Sequence, residues 1–149
     1  MGQDDTKHNL LFISKYPEII HEFTDAMKDR DIEIETAING IEAAAKIKKK
    51  NYDIVITGLS LEGYNGEQII TYLNKTAPST VCIIYTTTIS SAQLHFFINE
   101  RNVFRVFLRP VDFRGAFWEA LEEAYEYHAV QVKNEEDTGA RRQEQEKQE

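Results

Sequence analysis

Residues 51–66 read NYDIVITGLSLEGYNG, and this stretch decides the fold of the chain. Ile54, Val55 and Ile56 form a short, unbroken apolar run between polar residues and a glycine, a pattern typical of a strand buried on both faces of a parallel sheet. In open α/β sheets, ligands bind outside the carboxyl ends of the strands. The loop at residues 57–60 is therefore the predicted functional site, although its side chains are mostly inert.

Four further apolar runs flank this central strand, at residues 9–13, 31–37, 81–85 and 103–108. The run at 31–37 alternates apolar and acidic residues, which predicts a half-exposed edge strand. Segments with apolar residues at three- and four-residue spacing follow each strand, as in amphipathic helices. The last helix is predicted from Asp112, an expected N-cap, to about residue 132. Five alternating strands and helices predict one doubly wound α/β domain with a five-stranded parallel sheet and helices on both faces.

Composition limits the function that this chain can have. The 149 residues are 42% hydrophobic, which suits one compact domain. A formal net charge of −8 and a sequence pI of about 5.1 argue against non-specific binding to nucleic acid or to an anionic membrane, because both require a basic surface. No apolar stretch reaches the ~20 residues that span a bilayer, and the amino terminus has no signal-peptide pattern. We therefore expect a cytoplasmic protein.

The two ends of the chain differ from its middle. Residues 1–8 are predicted to form an amino-terminal arm and residues 9–132 the folded domain. Residues 133–149, KNEEDTGARRQEQEKQE, form a charged tail without a large apolar side chain. Such a segment cannot bury enough surface to offset the entropy lost on ordering. We expect it to be a frayed helix end or a disordered tail.

The central stretch, with Asn65 and Gly66 opening the next helix, resembles the central strand and loop of response-regulator receiver domains, the CheY-like family. The resemblance covers roughly residues 9–127. It implies the flavodoxin-like strand order 2-1-3-4-5 and a role in two-component or phosphorelay signalling. In that family the central strand ends in the aspartate that accepts phosphate, and the resemblance places Gly58 at that position.

Other positions of the family's phosphoacceptor pocket can be followed in the same way. The pair of acidic residues after the first strand corresponds to Ser14 and Lys15. The threonine or serine that contacts the phosphoryl group corresponds to Thr86, and the lysine of the Lys-Pro pair after the fifth strand corresponds to Arg109. The resemblance is therefore to a receiver whose pocket is degenerate, a pseudo-receiver.

Phosphorylation of a carboxylate needs the nucleophile itself and a Mg²⁺ held by hard oxygen ligands, commonly carboxylates. Gly58, Ser14 and Lys15 supply neither. Asp53 cannot substitute, because it lies at the opposite end of the central strand. The histidines, at positions 8, 21, 95 and 128, show no metal-ligand spacing and are expected at exposed or edge positions. We expect no metal site, no cofactor and no enzymatic activity, and a signal carried by contact with a protein partner.

An alternative function uses the charge that remains. Lys15 and Arg109 lie near strand ends, together with the hydroxyls of Thr57, Ser60 and Thr86. Such a set repels a metal ion and attracts a small anion, so the second hypothesis is a domain that senses phosphate or another small anion. The simplest alternative is that both cations extend into solvent.

The last helix also predicts an interaction face. Beyond its inward positions it presents a heptad-like seam that a monomer leaves partly exposed, formed by Trp118, Leu121, Tyr125, His128 and Val132. In receivers the fourth helix, fifth strand and fifth helix form the usual pairing face. We expect a homodimer or a helix-mediated complex through the fifth helix. The alternative is that Trp118 folds onto the fourth helix and that Tyr125 and Val132 are scattered surface residues.

Overall fold

Five strands and five helices alternate along the computed structural model, which describes residues 8–99 and 103–148. In chain order they are β1 (His8–Ile13), α1 (Pro17–Met27), β2 (Ile32–Ala37), α2 (Gly40–Lys49), β3 (Ile54–Thr57), α3 (Gly66–Thr76), β4 (Val81–Thr86), α4 (Ser91–Ile98), β5 (Val103–Leu108) and α5 (Ala116–Gln148). The strands form one parallel sheet in the order β2-β1-β3-β4-β5. The predicted doubly wound α/β fold with strand order 2-1-3-4-5 is confirmed.

Two apolar layers cover the two faces of the sheet. Successive side chains of a strand point to opposite faces, so Leu10 and Phe12 of β1 pack in the layer beneath α1 and α5. Leu11 and Ile13 pack in the layer beneath α2, α3 and α4. Every residue of β3 and of β4 is buried. The unbroken apolar run of the central strand therefore reflects burial on both faces, as its sequence predicted.

The two outermost strands of the sheet, β2 and β5, have different surroundings. Strand β2 is mostly half-buried, as predicted for an edge strand, but its exposure does not alternate strictly along the strand. Lys50, at the end of α2, forms ion pairs with Glu33 and Glu35 of this strand. Strand β5 closes the opposite side of the sheet and is also only partly buried.

Helix α5 differs from its prediction at both ends. It begins at Ala116, and Asp112 belongs to the preceding turn, where its Oδ1 accepts a hydrogen bond from the backbone N–H of Arg114 at 3.0 Å. The expected N-cap at Asp112 is therefore wrong. The helix continues to Gln148, so the segment expected to be a tail is helical that far rather than disordered. Glu, Gln, Lys and Arg are good helix formers that need no burial, and this property outweighs the lack of apolar residues.

The amino-terminal arm expected at residues 1–8 lies outside the described residues except for His8, which already belongs to β1. The division into arm, domain and tail otherwise stays a prediction. Although α5 is 33 residues long, it is polar. No helix of the described chain is both long enough and apolar enough to cross a membrane.

Candidate functional site

An open pocket of about 280 Å³ lies at the carboxyl ends of β1, β3, β4 and β5. The five positions expected to form the degenerate phosphoacceptor pocket all line it, namely Ser14, Lys15, Gly58, Thr86 and Arg109. The other lining residues are Tyr16, Leu59, Ser60, Tyr85, Thr87 and Thr88. Parallel strands end at the same edge of their sheet, which is why residues so far apart in sequence meet here.

Backbone hydrogen bonds continue the sheet into the loops that carry the pocket. The N–H of Gly58 donates to the carbonyl of Ile13 at 3.1 Å, and the N–H of Arg109 donates to the carbonyl of Thr86 at 2.8 Å. A Cβ atom added to Gly58 would meet its nearest heavy atoms, the carbonyl oxygens of Tyr85 and Ile13, at 3.6 and 3.9 Å. These are ordinary contacts, so packing does not require glycine at this position.

The two cations of the pocket each contact a hydroxyl and share one aromatic ring. Lys15 Nζ donates to Ser60 Oγ at 3.2 Å, and Arg109 Nη1 donates to Thr87 Oγ1 at 3.4 Å. Lys15 Nζ lies 5.3 Å, and the guanidinium carbon of Arg109 4.8 Å, from the centre of the Tyr16 ring. No carboxylate is among the lining residues. The pocket is therefore positively charged in a protein of net charge −8.

The hydroxyls differ from the set expected from the sequence. Thr57 is fully buried, donates its hydroxyl hydrogen to the Gly58 carbonyl at 2.8 Å and does not line the pocket, so its predicted part in anion binding is wrong. The Thr86 hydroxyl donates to the Thr88 carbonyl at 3.1 Å. Thr87, which the prediction missed, contacts Arg109.

Tyr85 forms part of the inner wall of the pocket. Burial raises the pKa of its hydroxyl, and the neighbouring Arg109 opposes this effect only in part. The hydroxyl therefore stays protonated and neutral at physiological pH. Its ring packs against Phe113 and Phe117, with ring centres 5.2 and 5.9 Å away. Tyr85 thus anchors the wall to the hydrophobic core and adds no negative charge to the pocket.

The seam expected on α5 faces the protein's own core. Leu121 is fully buried, and Tyr125 is 7% exposed and donates its hydroxyl hydrogen to the Asn9 carbonyl at 3.0 Å. The Tyr125 ring stacks on His8 with ring centres 4.2 Å apart. The predicted continuous exposed seam is therefore wrong, because these positions lie on the side of α5 that packs on the sheet.

The remaining seam residues also have contacts within the chain or are half-buried. Trp118 packs in the layer beneath α1 and α5, with the guanidinium carbon of Arg30 at 4.2 Å from its ring. Its expected alternative contact, the fourth helix, is not the contact observed. His128 Nε2 lies 3.1 Å from Asp53 Oδ1, and Val132 lines a hollow beside them. His128, predicted at an exposed or edge position, is half-buried and contacts both Asp53 and the carbonyl of Ser79.

Apolar side chains are instead exposed on the face formed by α4, β5 and α5, which we call the α4-β5-α5 face. Phe96 of α4 is 41% exposed and Leu108 at the end of β5 is 50% exposed. Tyr127 of α5 is partly exposed and contacts Phe104 of β5, with ring centres 5.3 Å apart. Val130 is exposed one turn further along α5.

Comparison with protein families assigns the chain to one of them. The family model described as the response regulator receiver domain matches residues 11–115. The chain belongs to the response regulator receiver family. The matched region of this receiver domain contains all five pocket positions, two of which are the cations Lys15 and Arg109. Receivers are signalling modules of two-component systems, so this chain is a receiver domain of such a system. No curated protein matches the chain significantly.

Solved structures with the same fold include the following three. The signal receiver domain of an HD domain-containing protein from Pseudomonas fluorescens Pf-5 has a TM-score of 0.79 and 19% identity, covering 84% of this chain and 99% of that one. A CheY-like response regulator receiver domain protein from Methanospirillum hungatei JF-1 has a TM-score of 0.76 and 18% identity over 84% and 99% of the two chains. A structure described as adenylate cyclase from Rhodopirellula baltica has a TM-score of 0.80 and 18% identity over 90% and 98%.

The family implies a Mg²⁺ ion at this pocket, and the residues present do not fit one. Mg²⁺ is held by carboxylates and other hard oxygen ligands, but the lining residues include no carboxylate and two cations. Among the residues whose side chains the structure describes, no group of three His, Cys, Asp or Glu is placed to hold a metal ion. The lining of this pocket therefore does not support a metal-dependent step.

Proposed function

We propose that this receiver domain passes on its signal through protein–protein contacts and without phosphorylation of an aspartate. The observation that carries the proposal is the lining of the strand-end pocket. It contains Gly58 where a receiver needs the nucleophile, and Ser14 and Lys15 where it needs acidic metal ligands. In receivers the carboxylate is the group that forms the bond to phosphorus, and the lining of this pocket includes no Asp or Glu. This lining supports a signalling module that is not an enzyme.

Carboxylates elsewhere in the chain do not rescue the pocket. Asp53 precedes β3, roughly 16 Å from Gly58 at ~3.3 Å per extended residue, and its oxygens are used by His128 and by the backbone N–H of Asn9. Asp112 follows the fifth strand, but its Oδ1 accepts the Arg114 N–H and its side chain does not line the pocket. Both acids therefore have structural contacts away from the pocket.

The α4-β5-α5 face supports the second part of the proposal. Its exposed apolar residues include Phe96 and Leu108, and β5 is the outermost strand of the sheet on that side. Exposed apolar side chains on one side of a domain favour contact with another protein. The net charge of −8 disfavours nucleic acid and anionic membranes as partners. The partner we propose is a second copy of the chain or another signalling protein.

Phosphate-independent association separates this function from that of a phosphate-driven switch. Multi-angle light scattering at micromolar concentration would be run with and without acetyl phosphate and Mg²⁺. We expect the same molar mass under both conditions, because the phosphodonor has no acceptor. A molar mass that changes only when the phosphodonor and Mg²⁺ are both present would contradict the proposal.

A further inference from the structure

The strand-end pocket concentrates positive charge that the protein does not neutralise locally. Lys15 and Arg109 both line it, and neither is within 4 Å of a described carboxylate oxygen. Several other described cations do form ion pairs, for example Lys50 with Glu33 and Glu35 and Arg105 with Glu123. In a chain with net charge −8, a pocket with two cations and no acid is suited to an anionic ligand.

The hydrogen-bond pattern leaves donors available in the pocket. Ser60 Oγ accepts from Lys15 and Thr87 Oγ1 accepts from Arg109, so each hydroxyl keeps its own hydrogen for another acceptor. The ammonium group has three donor hydrogens and the guanidinium has five, and each uses one in these contacts. The pocket is therefore rich in donors and lacks the carboxylate acceptor that would satisfy them.

The ring of Tyr16 lies close to both cations at the open side of the pocket. The Lys15 ammonium lies 5.3 Å from the ring centre, and the Arg109 guanidinium carbon lies 4.8 Å from it. Cations at these distances are attracted to the ring electrons. Together with the bonds to Ser60 and Thr87, these contacts argue against the simplest alternative, in which both side chains extend into solvent.

Gly58 leaves space between these groups. The position has no side chain, and an added Cβ would meet only ordinary contacts at 3.6 Å or more. The pocket volume of about 280 Å³ is several times the ~30 Å³ share of a water molecule in the liquid. A tetrahedral oxyanion therefore has room in the pocket.

We propose that this pocket binds a small oxyanion, inorganic phosphate or sulfate, through the charged donors of Lys15 and Arg109 and the hydroxyls of Ser60 and Thr87. The inference rests on the proposed function in one respect, that no phosphoaspartate forms there. Thr87 belongs to the loop that leads to the Ser90 N-cap of α4. A bound anion thus contacts the segment that leads to the α4-β5-α5 face, and anion binding can alter the contacts that this face makes with a partner.

The test is a titration of ¹⁵N-labelled protein with sodium phosphate and with sodium sulfate, followed by NMR, with sodium chloride at matched ionic strength as the reference. We expect saturable shifts in the millimolar range for the amides of Lys15, Gly58, Ser60 and Thr87. Lys15→Gln and Arg109→Gln should each weaken binding at least tenfold. The matched control, Lys48→Gln with Lys49→Gln at the exposed end of α2, should change the affinity less than twofold.

Gly58→Asp provides a second, independent variant. A Cβ at this position meets only ordinary contacts. We expect the carboxylate to pair with the cations, to compete with the anion and to abolish binding while the rest of the spectrum keeps its dispersion. Shifts that do not saturate, that chloride reproduces, or that persist in the Lys15→Gln and Arg109→Gln variants would overturn the proposal. Those results would not contradict the proposal of signalling without phosphorylation, because covalent modification is measured separately on denatured protein.

Discussion

His128 Nε2 lies 3.1 Å from Asp53 Oδ1, and this contact joins the middle of α5 to the amino end of β3. The second ring nitrogen, Nδ1, lies 2.9 Å from the carbonyl oxygen of Ser79. Both neighbours are acceptors, and only the protonated imidazolium donates from both nitrogens. The charged form of His128 is therefore the one that this site binds.

Stability should depend on pH through this pair. The hydrogen bond to Asp53 raises the pKa of His128 above its ordinary 6.5 against the opposing effect of burial, and Ser79 and Glu135 add to the increase. Burial would raise the pKa of Asp53, but the bonds from His128 and Asn9 and the nearby His8 hold it below 3.8. The stabilisation by His128 is full below pH 6.5 and is lost as pH rises through its pKa in the folded state. That of Asp53 is lost as pH falls below 3.8.

The measurement is urea unfolding of the wild type and of His128→Gln between pH 6 and pH 9. We expect the variant to be less stable by about 1.5–3 kcal/mol at pH 6, the range for a hydrogen bond to a charged group, and the difference to shrink as pH rises. His21→Gln, at an exposed position of α1, is the control. A difference that is constant across this pH range would show that the charge of His128 contributes nothing.

Tyr125 should behave as a core residue and not as a contact residue for a partner. Burial raises the pKa of its hydroxyl well above 10, so the group stays a donor to the Asn9 carbonyl at every working pH. Tyr125→Phe should cost about 1 kcal/mol of unfolding free energy, and Tyr125→Glu about 3 kcal/mol or more, because it buries a carboxylate near Asp53. Chemical denaturation measures both. Equal stability of Tyr125→Glu and wild type would place this side chain at the surface.

Two glycines should respond in opposite ways to an added methyl group. At Gly66 a Cβ would lie 2.3 Å from the Gly58 carbonyl oxygen and 2.9 Å from Leu59 Cα, so the backbone must move. At Gly58 the closest contact is 3.6 Å. Thermal unfolding of Gly66→Ala should show a loss of about 1–3 kcal/mol, whereas Gly58→Ala should stay within ~0.5 kcal/mol of wild type. The reverse order would contradict the geometry of the loop after β3.

Self-association should depend on the α4-β5-α5 face. Leu108→Ser combined with Phe96→Ser removes two of its exposed apolar side chains and should lower the molar mass measured by light scattering at micromolar concentration. Ile41→Ser is the matched control, because Ile41 is 58% exposed on α2. A monomer in every sample would refute a homodimer, and an equal loss of mass in the control would show that the contact is not specific to this face.

The fold and the strand-end pocket could be predicted because both depend on local patterns. An unbroken apolar run identifies a doubly covered strand, and residues that end parallel strands must meet at one edge, which brought Ser14, Gly58 and Arg109 together. It was harder to predict which side chains at that edge point into the pocket. Thr57 is the last residue of the buried strand β3, whereas Thr87 follows the last residue of β4 and lies in the loop. The sequence alone does not show at which residue each strand ends.

The features that the sequence did not reveal depend on long-range contacts. Asp53 and His128 are 75 residues apart in numbering, and nothing in either segment shows that the start of β3 faces the middle of α5. The prediction of an exposed seam on α5 was wrong for a similar reason. The spacing of Leu121 and Tyr125 fits a heptad seam and a helix that covers a sheet equally well. The length of α5 beyond residue 132 depends on helix propensity, which apolar periodicity does not measure.

The central claim, signalling without phosphorylation of an aspartate, is tested most directly by intact-mass spectrometry of denatured protein after incubation with acetyl phosphate and Mg²⁺. Denaturation releases any anion that is merely bound, so only a covalent phosphoryl group adds mass. We expect no added mass on the wild type. We also expect none on Gly58→Asp, because Ser14 and Lys15 still supply no acidic metal ligand. A phosphoryl adduct on the wild type that maps to the loops at the strand ends would contradict this claim.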